Sequence, residues 1–395
     1  MERVYFAACT LGLEEVLAAE LRDLGADPVE AGRGGVRFAG DARLAMKACL
    51  WLRSAIRVQE EIAQEEVHDE RQLYDLVRGI EWEQFIGCDD TLAVDASLRD
   101  SFLTHSQFAS RLVKDAVVDR FRDREGRRPD VDPDDPALPL RLHLARDVAT
   151  IYADLSGESL HKRGYRDVQV KSPLNEAIAA GLLLASDWDR RSSVCDPMCG
   201  SATILIEAAW ITGDRAPGLS RRFAFERWQD LDRSAWQELR EEARLRAERG
   251  RAAMPVFLGA DRHPGAVSIA RRSTRAAGVA KEVQVAECDI TRFTPSRPPT
   301  FVMTNPPYGE RIGEGDDLER SWRALGDFLR RWPGLVAWVL SGNPETTRFM
   351  KLATSRKLPV RNGPIDCRLL RYEIDPLDAD STVARKKLPG REDGE

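Results

Sequence analysis

Residues 193–203, Ser-Val-Cys-Asp-Pro-Met-Cys-Gly-Ser-Ala-Thr, restrict what this chain can fold into more than any other stretch. A short β-branched run ends in an acid, a proline and a small-residue turn, and Ile204-Leu205-Ile206-Glu207-Ala208-Ala209-Trp210 continues as an apolar helix. Strand, tight turn and helix start in that order belong to an open parallel sheet, where ligands bind at the carboxyl edge of the strands. Gly200 lets the backbone approach a ligand, and the amides after it sit at a helix N-terminus. The turn has no Gly-x-Gly-x-x-Gly, so a nicotinamide dinucleotide loses support, and no Gly-Lys-Ser or Gly-Lys-Thr follows as in a P-loop.

A second stretch narrows the chemistry. Thr300-Phe301-Val302-Met303-Thr304 has strand character, and Asn305-Pro306-Pro307-Tyr308-Gly309 follows at its end. A rigid turn would explain the prolines alone. As a site, Asn305 offers a side-chain oxygen and Pro306 a carbonyl of fixed direction. Together they can accept both hydrogens of a planar NH₂ group while Tyr308 stacks on the ring that bears it, with Pro307 stiffening the turn. That aims the nitrogen lone pair at an electrophilic carbon. Asp-Pro-x-Cys-Gly-Ser followed by Asn-Pro-Pro-Tyr resembles the class I S-adenosylmethionine (SAM) dependent methyltransferases that modify exocyclic amines.

The 395 residues allow two or three domains, and 43% hydrophobic with 31% charged content is that of a soluble globular protein. No apolar run approaches a membrane span, and the first residues form no signal peptide. Seven scattered cysteines suit a reducing cytoplasm. Only Cys195 and Cys199 lie close together, with no second pair and no nearby histidine, so no metal is expected. A net charge of −6 excludes a generally basic nucleic-acid coat but leaves room for local basic patches. No internal repeat is evident.

Along the chain, residues 1–50 have the β-α-β order of a ferredoxin-like unit: a strand at Val4–Ala8, a helix ended by Gly25, a return strand after Gly34-Gly35 and a helix capped by Asp41. Residues 51–166 form a second α+β unit with strands near 56–62 and 92–98 and a hairpin over 140–155. The helix around 104–118 places Phe108, Leu112, Ala116 and Val117 on one face, with Arg111 and Lys114 largely on another. Ser156-Gly157-Glu158-Ser159-Leu160-His161-Lys162-Arg163-Gly164-Tyr165-Arg166 interleaves basic and aromatic residues, a pattern suited to RNA phosphates and unpaired bases or to a plain basic linker.

That last stretch and the Val113-Lys114-Asp115-Ala116 helix resemble the THUMP-containing RNA methyltransferases, and within them the RlmL-type large-subunit ribosomal RNA guanine-N2 enzymes. The resemblance covers nearly the whole chain. It implies an α/β fold: a ferredoxin-like part at 1–50, a THUMP RNA-binding domain at 51–166, and a Rossmann-like methyltransferase domain at 167–378. The last has a mostly parallel seven-stranded sheet and an insertion at about 211–254. Residues 379–395, with little apolar content, are expected to be a disordered tail.

The resemblance also implies site residues. SAM would be held by Pro173, Asn175, Asp196, Pro197, Cys199, Gly200, Ser201, Thr203, Asp261, Arg262, Asp289, Ile290 and Asn305. Of these, Asp261 ends the strand Val256–Asp261, where an acid can accept both ribose hydroxyls, and Asp289 ends the next strand, where it could take the adenine amine. Asn305, Pro306, Pro307 and Tyr308 would be catalytic. Arg111, Lys114, His161, Lys162, Arg163, Tyr165 and Arg166 would bind RNA. One departure stands out: the family usually has Gly-Ser-Gly-Thr in the first turn, and this chain has Gly200-Ser201-Ala202-Thr203. Because position 202 opens a helix, helical dihedrals are expected there, for which alanine is harmless. Cys367–Glu373 is expected to be a final edge strand.

The expected reaction is methyl transfer from SAM to the N2 amine of a guanine in 23S ribosomal RNA, or in an assembly intermediate containing it, by a cytoplasmic monomer. Alternatives are a tRNA guanine-N2, DNA adenine-N6 or protein glutamine-N5 methyltransferase, and, in a different class, a non-catalytic ribosome-assembly factor.

Overall fold

The computed structural model describes residues 2–166, 174–307 and 315–375. Pro173, Tyr308 and the expected tail from 379 lie outside them. The chain divides into two compact units, and neither is continuous in sequence. The first comprises Met1–Cys9, Glu14–Arg163 and Ala216–Leu245; the second comprises Thr10–Leu13, Gly164–Arg215 and Arg246–Glu395.

The first unit follows the order β1 (Arg3–Cys9), α1 (Glu14–Leu24), β2 (Val29–Gly32), β3 (Gly35–Gly40), α2 (Ala42–Trp51), β4 (Ala55–Glu66), α3 (Glu70–Gly79), β5 (Thr91–Arg99), α4 (Ser106–Glu125), β6 (Asp130–Val131), β7 (Leu138–Ala145) and β8 (Val148–Asp154). Asp41 starts α2 by accepting from Leu44 N at 2.7 Å, and Asp69 starts α3 by accepting from Gln72 N at 2.8 Å. The eight strands form one sheet, β2-β3-β1-β4-β8-β7-β5-β6. The parts expected to be ferredoxin-like and THUMP therefore share a sheet, and β4 is their common strand: residues 55–60 pair with β1 and residues 59–66 with β8.

Two expectations change here. In α4 the buried face is Ala109, Val113, Ala116, Val117, Val118 and Phe121, while Phe108 is 38% exposed. Positions 109, 113, 116, 117 and 121 also keep helical spacing, and small residues there let the helix lie close to the sheet. The insertion expected inside the methyltransferase domain contributes residues 216–245 to the first unit instead. Gly218 N donates to Leu50 O at 3.0 Å, and Trp228 Nε1 donates to Ala137 O at 3.0 Å. Phe223, Phe225 and Trp236 pack ring on ring with centroids 4.9–5.6 Å apart. These buried aromatics are core side chains, so the segment follows its apolar face.

The second unit contains α5 (Glu176–Ala185), β9 (Cys195–Asp196) and α6 (Thr203–Thr212). Helix α7 (Arg233–Arg251) comes next, its residues through Leu245 counted with the first unit. The rest is β10 (Phe257–Asp261), α8 (Pro264–Ala276), β11 (Val283–Glu287), β12 (Phe301–Thr304), α9 (Gly315–Arg330), β13 (Val336–Ser341), β14 (Arg356–Asn362) and β15 (Ile365–Glu373). Its seven strands run β11-β10-β9-β12-β13-β15-β14. The first five are parallel, and β15 is antiparallel to both neighbours. The strand expected as the edge, β15, is thus interior. The true edge is β14, whose polar sequence around Pro359 conceals a strand that a proline confines to the rim. Val302, Trp322, Leu325, Phe328, Val339 and Tyr372 form the core under the strand ends that carry the site.

Candidate active site

The site assembles at the carboxyl ends of β9, β10 and β12. Asp196 ends β9 and is almost fully buried. Its Oδ1 accepts from Thr304 Oγ1 at 2.6 Å and from Met198 N at 3.1 Å. Burial pushes its carboxyl up to about 7, nearby Asp261 adds to the rise, and the two donated hydrogen bonds oppose it. Beside it, burial also raises the thiols of Cys195 and Cys199, so neither is a nucleophile poised at neutral pH.

The turn after Asp196 is pinned to β10. Cys199 N donates to Ala260 O at 2.9 Å, and Gly200 N donates to Asp261 Oδ2 at 3.0 Å. Asp261 Oδ1 accepts from His263 N at 2.9 Å. Gly259 makes this approach possible, because a Cβ there would stand 2.6 Å from Leu205 Cδ1 and 3.0 Å from Cys199 Sγ. Sequence reading overlooked Gly259, which resembles any glycine in a strand. Gly200 has φ +54°, and a Cβ on it would meet nothing within 4 Å, so open space lies before the turn.

Ala202 corrects an expectation. It has φ 62° and ψ 25°, left-handed rather than helical, and it is the N-cap of α6. The family's glycine suits that conformation, whereas alanine carries strain of about 1–2 kcal/mol. Ala202 N donates to Cys199 O at 2.8 Å, and its carbonyl accepts from Ile206 N at 2.9 Å, so the turn's own hydrogen bonds impose the dihedrals.

Other expected cofactor residues spread around this turn. Ser201 Oγ and Thr203 Oγ1 are 3.1 Å apart. Asn175 caps α5, its Oδ1 accepting from Ala177 N at 2.8 Å and Ile178 N at 3.2 Å, which leaves its amide nitrogen as the donor for a ligand. Pro197 and Ile290 are buried. Asp289 Oδ1 accepts from Thr291 Oγ1 at 2.6 Å and Thr291 N at 2.9 Å, bonds that hold its carboxyl below the usual range. Arg262 forms a two-pronged pair with Asp317, Nη2 to Oδ2 at 2.7 Å, whose hydrogen bond raises the guanidinium further.

At the end of β12, Asn305 Oδ1 is buried and has no hydrogen-bond partner among the described residues. Pro306 is buried, and Pro307 O accepts from Trp322 Nε1 at 2.8 Å. A buried acceptor left open at a strand end is the kind of atom that an incoming N–H would satisfy.

Several expected RNA contacts are not at the surface. Arg163 is 2% exposed, donating Nη1 to Leu160 O at 2.6 Å and Nη2 to Arg53 O. Tyr165 is also 2% exposed, with its hydroxyl donating to Glu207 Oε1 at 2.9 Å and its ring edge-on to Trp210. Arg166 donates to Thr203 Oγ1 at 2.6 Å and Leu174 O at 3.1 Å, and pairs with buried Glu176 at 3.4 Å. These three hold the protein together rather than facing phosphates, because each finds acceptors in its own fold. Arg166 instead supports the start of α6, just after the turn, through Thr203. Lys162 is exposed and pairs with Glu158 at 2.7 Å. His161 Nδ1 is 2.7 Å from Ser159 Oγ. Arg111 is exposed, and Lys114 pairs with Asp115 at 2.5 Å. Among the described residues, no three His, Cys, Asp or Glu side chains gather as a metal site, and no helix is long and apolar enough to cross a membrane.

This arrangement has counterparts in known proteins. The family described as RMKL-like, methyltransferase domain, matches residues 163–371. The chain belongs to this family. Ahead of the RMKL-like domain, the RlmL ferredoxin-like domain matches residues 4–59 and the THUMP domain residues 67–154. The ribosomal RNA large subunit methyltransferase K/L of Syntrophotalea carbinolica is 43% identical over 380 residues, 94% of this chain and 53% of that protein. The chain spans about half the length of the curated relatives it matches. Among solved structures, a methyltransferase complexed with SAH superposes with TM-score 0.86 at 26% identity, covering 95% of this chain and 98% of the other. A Listeria monocytogenes protein, named there as an N6-adenine-specific DNA methylase, superposes with TM-score 0.85 at 28% identity, covering 95% and 97%. The RMKL-like match takes in the second unit's parallel sheet, with the acids and Asn305 at its strand ends, and also residues 216–245 of the first unit.

Proposed function

We propose that this chain is a SAM-dependent methyltransferase acting on the N2 amine of a guanine in 23S ribosomal RNA. The observation that carries the reading is Asn305 Oδ1, a buried acceptor without a partner among the described residues, one residue beyond the Thr304–Asp196 bond. The relatives named ribosomal RNA large subunit methyltransferase K/L support the ribosomal substrate.

The residues present suit the donor. Asp261 ends β10 as an acid for the ribose, and the turn at Gly200 faces open space. When bound, SAM supplies an electrophilic methyl on a cationic sulfur. The chain's own work is to hold the target amine. Guanine N2 is a weak nucleophile because its lone pair is delocalised into the ring. Asn305 Oδ1 and the Pro306 carbonyl accept its hydrogens and favour the pyramidal, more positive nitrogen that develops during transfer. The methylated nitrogen is acidic and loses its proton without a strong base, and the guanine must leave its stack to enter.

The RNA-binding surface is assigned to the first unit, with Arg111, Lys114 and Lys162 as its cationic contacts and a cytoplasmic monomer as the working form. Incubation with labelled SAM and protein-free 23S ribosomal RNA, followed by nucleoside mass analysis, should yield N2-methylguanine. Product only on tRNA, or N6-methyladenine, would replace the substrate assignment. Asn305→Ala should lower turnover by about a hundredfold or more while SAM affinity stays near wild type.

A further inference from the structure

The ladder between β9 and β12 consists of a single register pair, Val302 with Cys195. Beyond it the two strand ends carry the turn on one side and Asn305 on the other. A side-chain rung replaces the missing backbone bonds, with Thr304 Oγ1 donating to Asp196 Oδ1 at 2.6 Å. Both residues are buried, Thr304 completely. Three residues further on, a second rung arrives from α9. Trp322 is fully buried in the core, and its one donor, Nε1, is spent on Pro307 O at 2.8 Å. Between the rungs stand Asn305 and Pro306, and two consecutive prolines fix the φ angles that a free loop would vary. The empty acceptor Asn305 Oδ1 is therefore carried on a backbone held at both ends.

Resting on the amine-methylation reading above, we propose that Thr304 and Trp322 are positioning residues that fix Asn305 and Pro306 in the geometry that captures the target amine. Neither touches the substrate. Thr304 ties the acceptor to the carboxylate oxygen that also holds Met198 N in the cofactor turn, so the amine pocket and the donor pocket share one atom as their reference point. Trp322 fixes the opposite end from the core. Held this way, the acceptors need no rearrangement when the base arrives, which is where a preorganised site gains rate.

The test uses the full chain with SAM and 23S ribosomal RNA. Thr304→Val keeps shape and removes the donor; Thr304→Ser keeps the donor; Trp322→Phe keeps the ring in the core and removes Nε1. Thr304→Val and Trp322→Phe should each lower kcat by roughly ten- to a hundredfold, as for a misplacement of reacting groups, with KM for SAM and for RNA within about threefold of wild type. Thr304→Ser should recover most of the kcat lost in Thr304→Val. Wild-type kcat in folded Thr304→Val, or a Ser variant no better than Val, overturns the proposal. A loss confined to SAM affinity also overturns it, because the rung would then serve the donor turn alone. If Trp322→Phe does not fold, the Val and Ser pair decides. Asn305→Ala separates the two claims: full activity there removes the amine-capture reading itself, whereas an inactive Asn305→Ala beside a fully active Thr304→Val removes only the positioning role.

Discussion

Replacing Asp196 by Asn should make the protein more stable at alkaline pH and leave little advantage at acidic pH. The carboxyl stands at about 7 against an ordinary 3.8, because burial, aided by Asp261, penalises its charged form. The folded state therefore favours the protonated acid. That preference is fully present below the unfolded value near 3.8 and is lost as pH rises through the folded value near 7. A difference of about three pH units corresponds to roughly 4 kcal/mol between pH 3 and pH 8. Both hydrogen bonds that Asp196 accepts go to Oδ1, so an asparagine oxygen can take both while its amide nitrogen carries no charge. In urea denaturation followed by tryptophan fluorescence, the stability of Asp196→Asn relative to wild type should rise by about 1.4 kcal/mol per pH unit between pH 5 and 7, then level off. Comparing the two proteins at each pH cancels the other titrating groups. A difference that stays constant from pH 5 to pH 8 would refute the argument that wild type carries an unfavourable buried charge there.

Asp261→Ala should weaken SAM binding in calorimetry by about 1.5–3 kcal/mol, as for hydrogen bonds to a charged group; unchanged affinity in a folded variant takes Asp261 out of the site. Ala202→Gly should change stability by less than about 1 kcal/mol, because relief of left-handed strain is offset by the flexibility of unfolded glycine and the lost methyl. Ala202→Val should destabilise thermal unfolding far more, since a branched side chain fits a φ of 62° poorly. Arg163→Ala should cost on the order of 3 kcal/mol of stability, because carbonyls at Leu160 and Arg53 lose a buried donor. Arg111→Ala with Lys162→Ala should leave unfolding unchanged but flatten the salt dependence of 23S ribosomal RNA binding, by a slope of roughly 0.7–0.9 per lost phosphate contact.

The sequence revealed what repeats locally or is chemically rare. Strand β1, the Asp41 cap and the Gly25 stop follow from spacing and caps. The acids at Asp196 and Asp261 and the Asn-Pro-Pro turn follow from residue types few strands end in. What stayed hidden depends on distant partners. Arg163, Tyr165 and Arg166 look like an RNA-facing stretch because charge suggests solvent, yet each is satisfied by a carbonyl, carboxylate or hydroxyl supplied by the fold. Ala202 resembles a helix residue, and only the closed turn shows its left-handed dihedrals. Thr304 and Trp322 pass as ordinary strand and core residues until their single donors are traced. The segment 216–245 follows the apolar partners of Phe223, Phe225 and Trp236, which chain order does not disclose.

The discontinuity of the two units bears on how the protein is made. A ribosome releases residues in order, and the first unit lacks its final piece until Leu245 has emerged. By then β9, the turn after it and α6 are already outside, waiting for β10, which begins only at Phe257. Synthesis therefore passes through a stage in which the N-terminal sheet is present without residues 216–245 while the methyl-transfer sheet has one strand. No single cut separates the units either: residues 172–378 alone lack Thr10–Leu13 and carry 216–245 without the rest of the first unit. Finding which half selects the substrate thus calls for point substitutions in the intact chain, and a nascent chain stalled shortly before residue 245 should be unusually open to proteases.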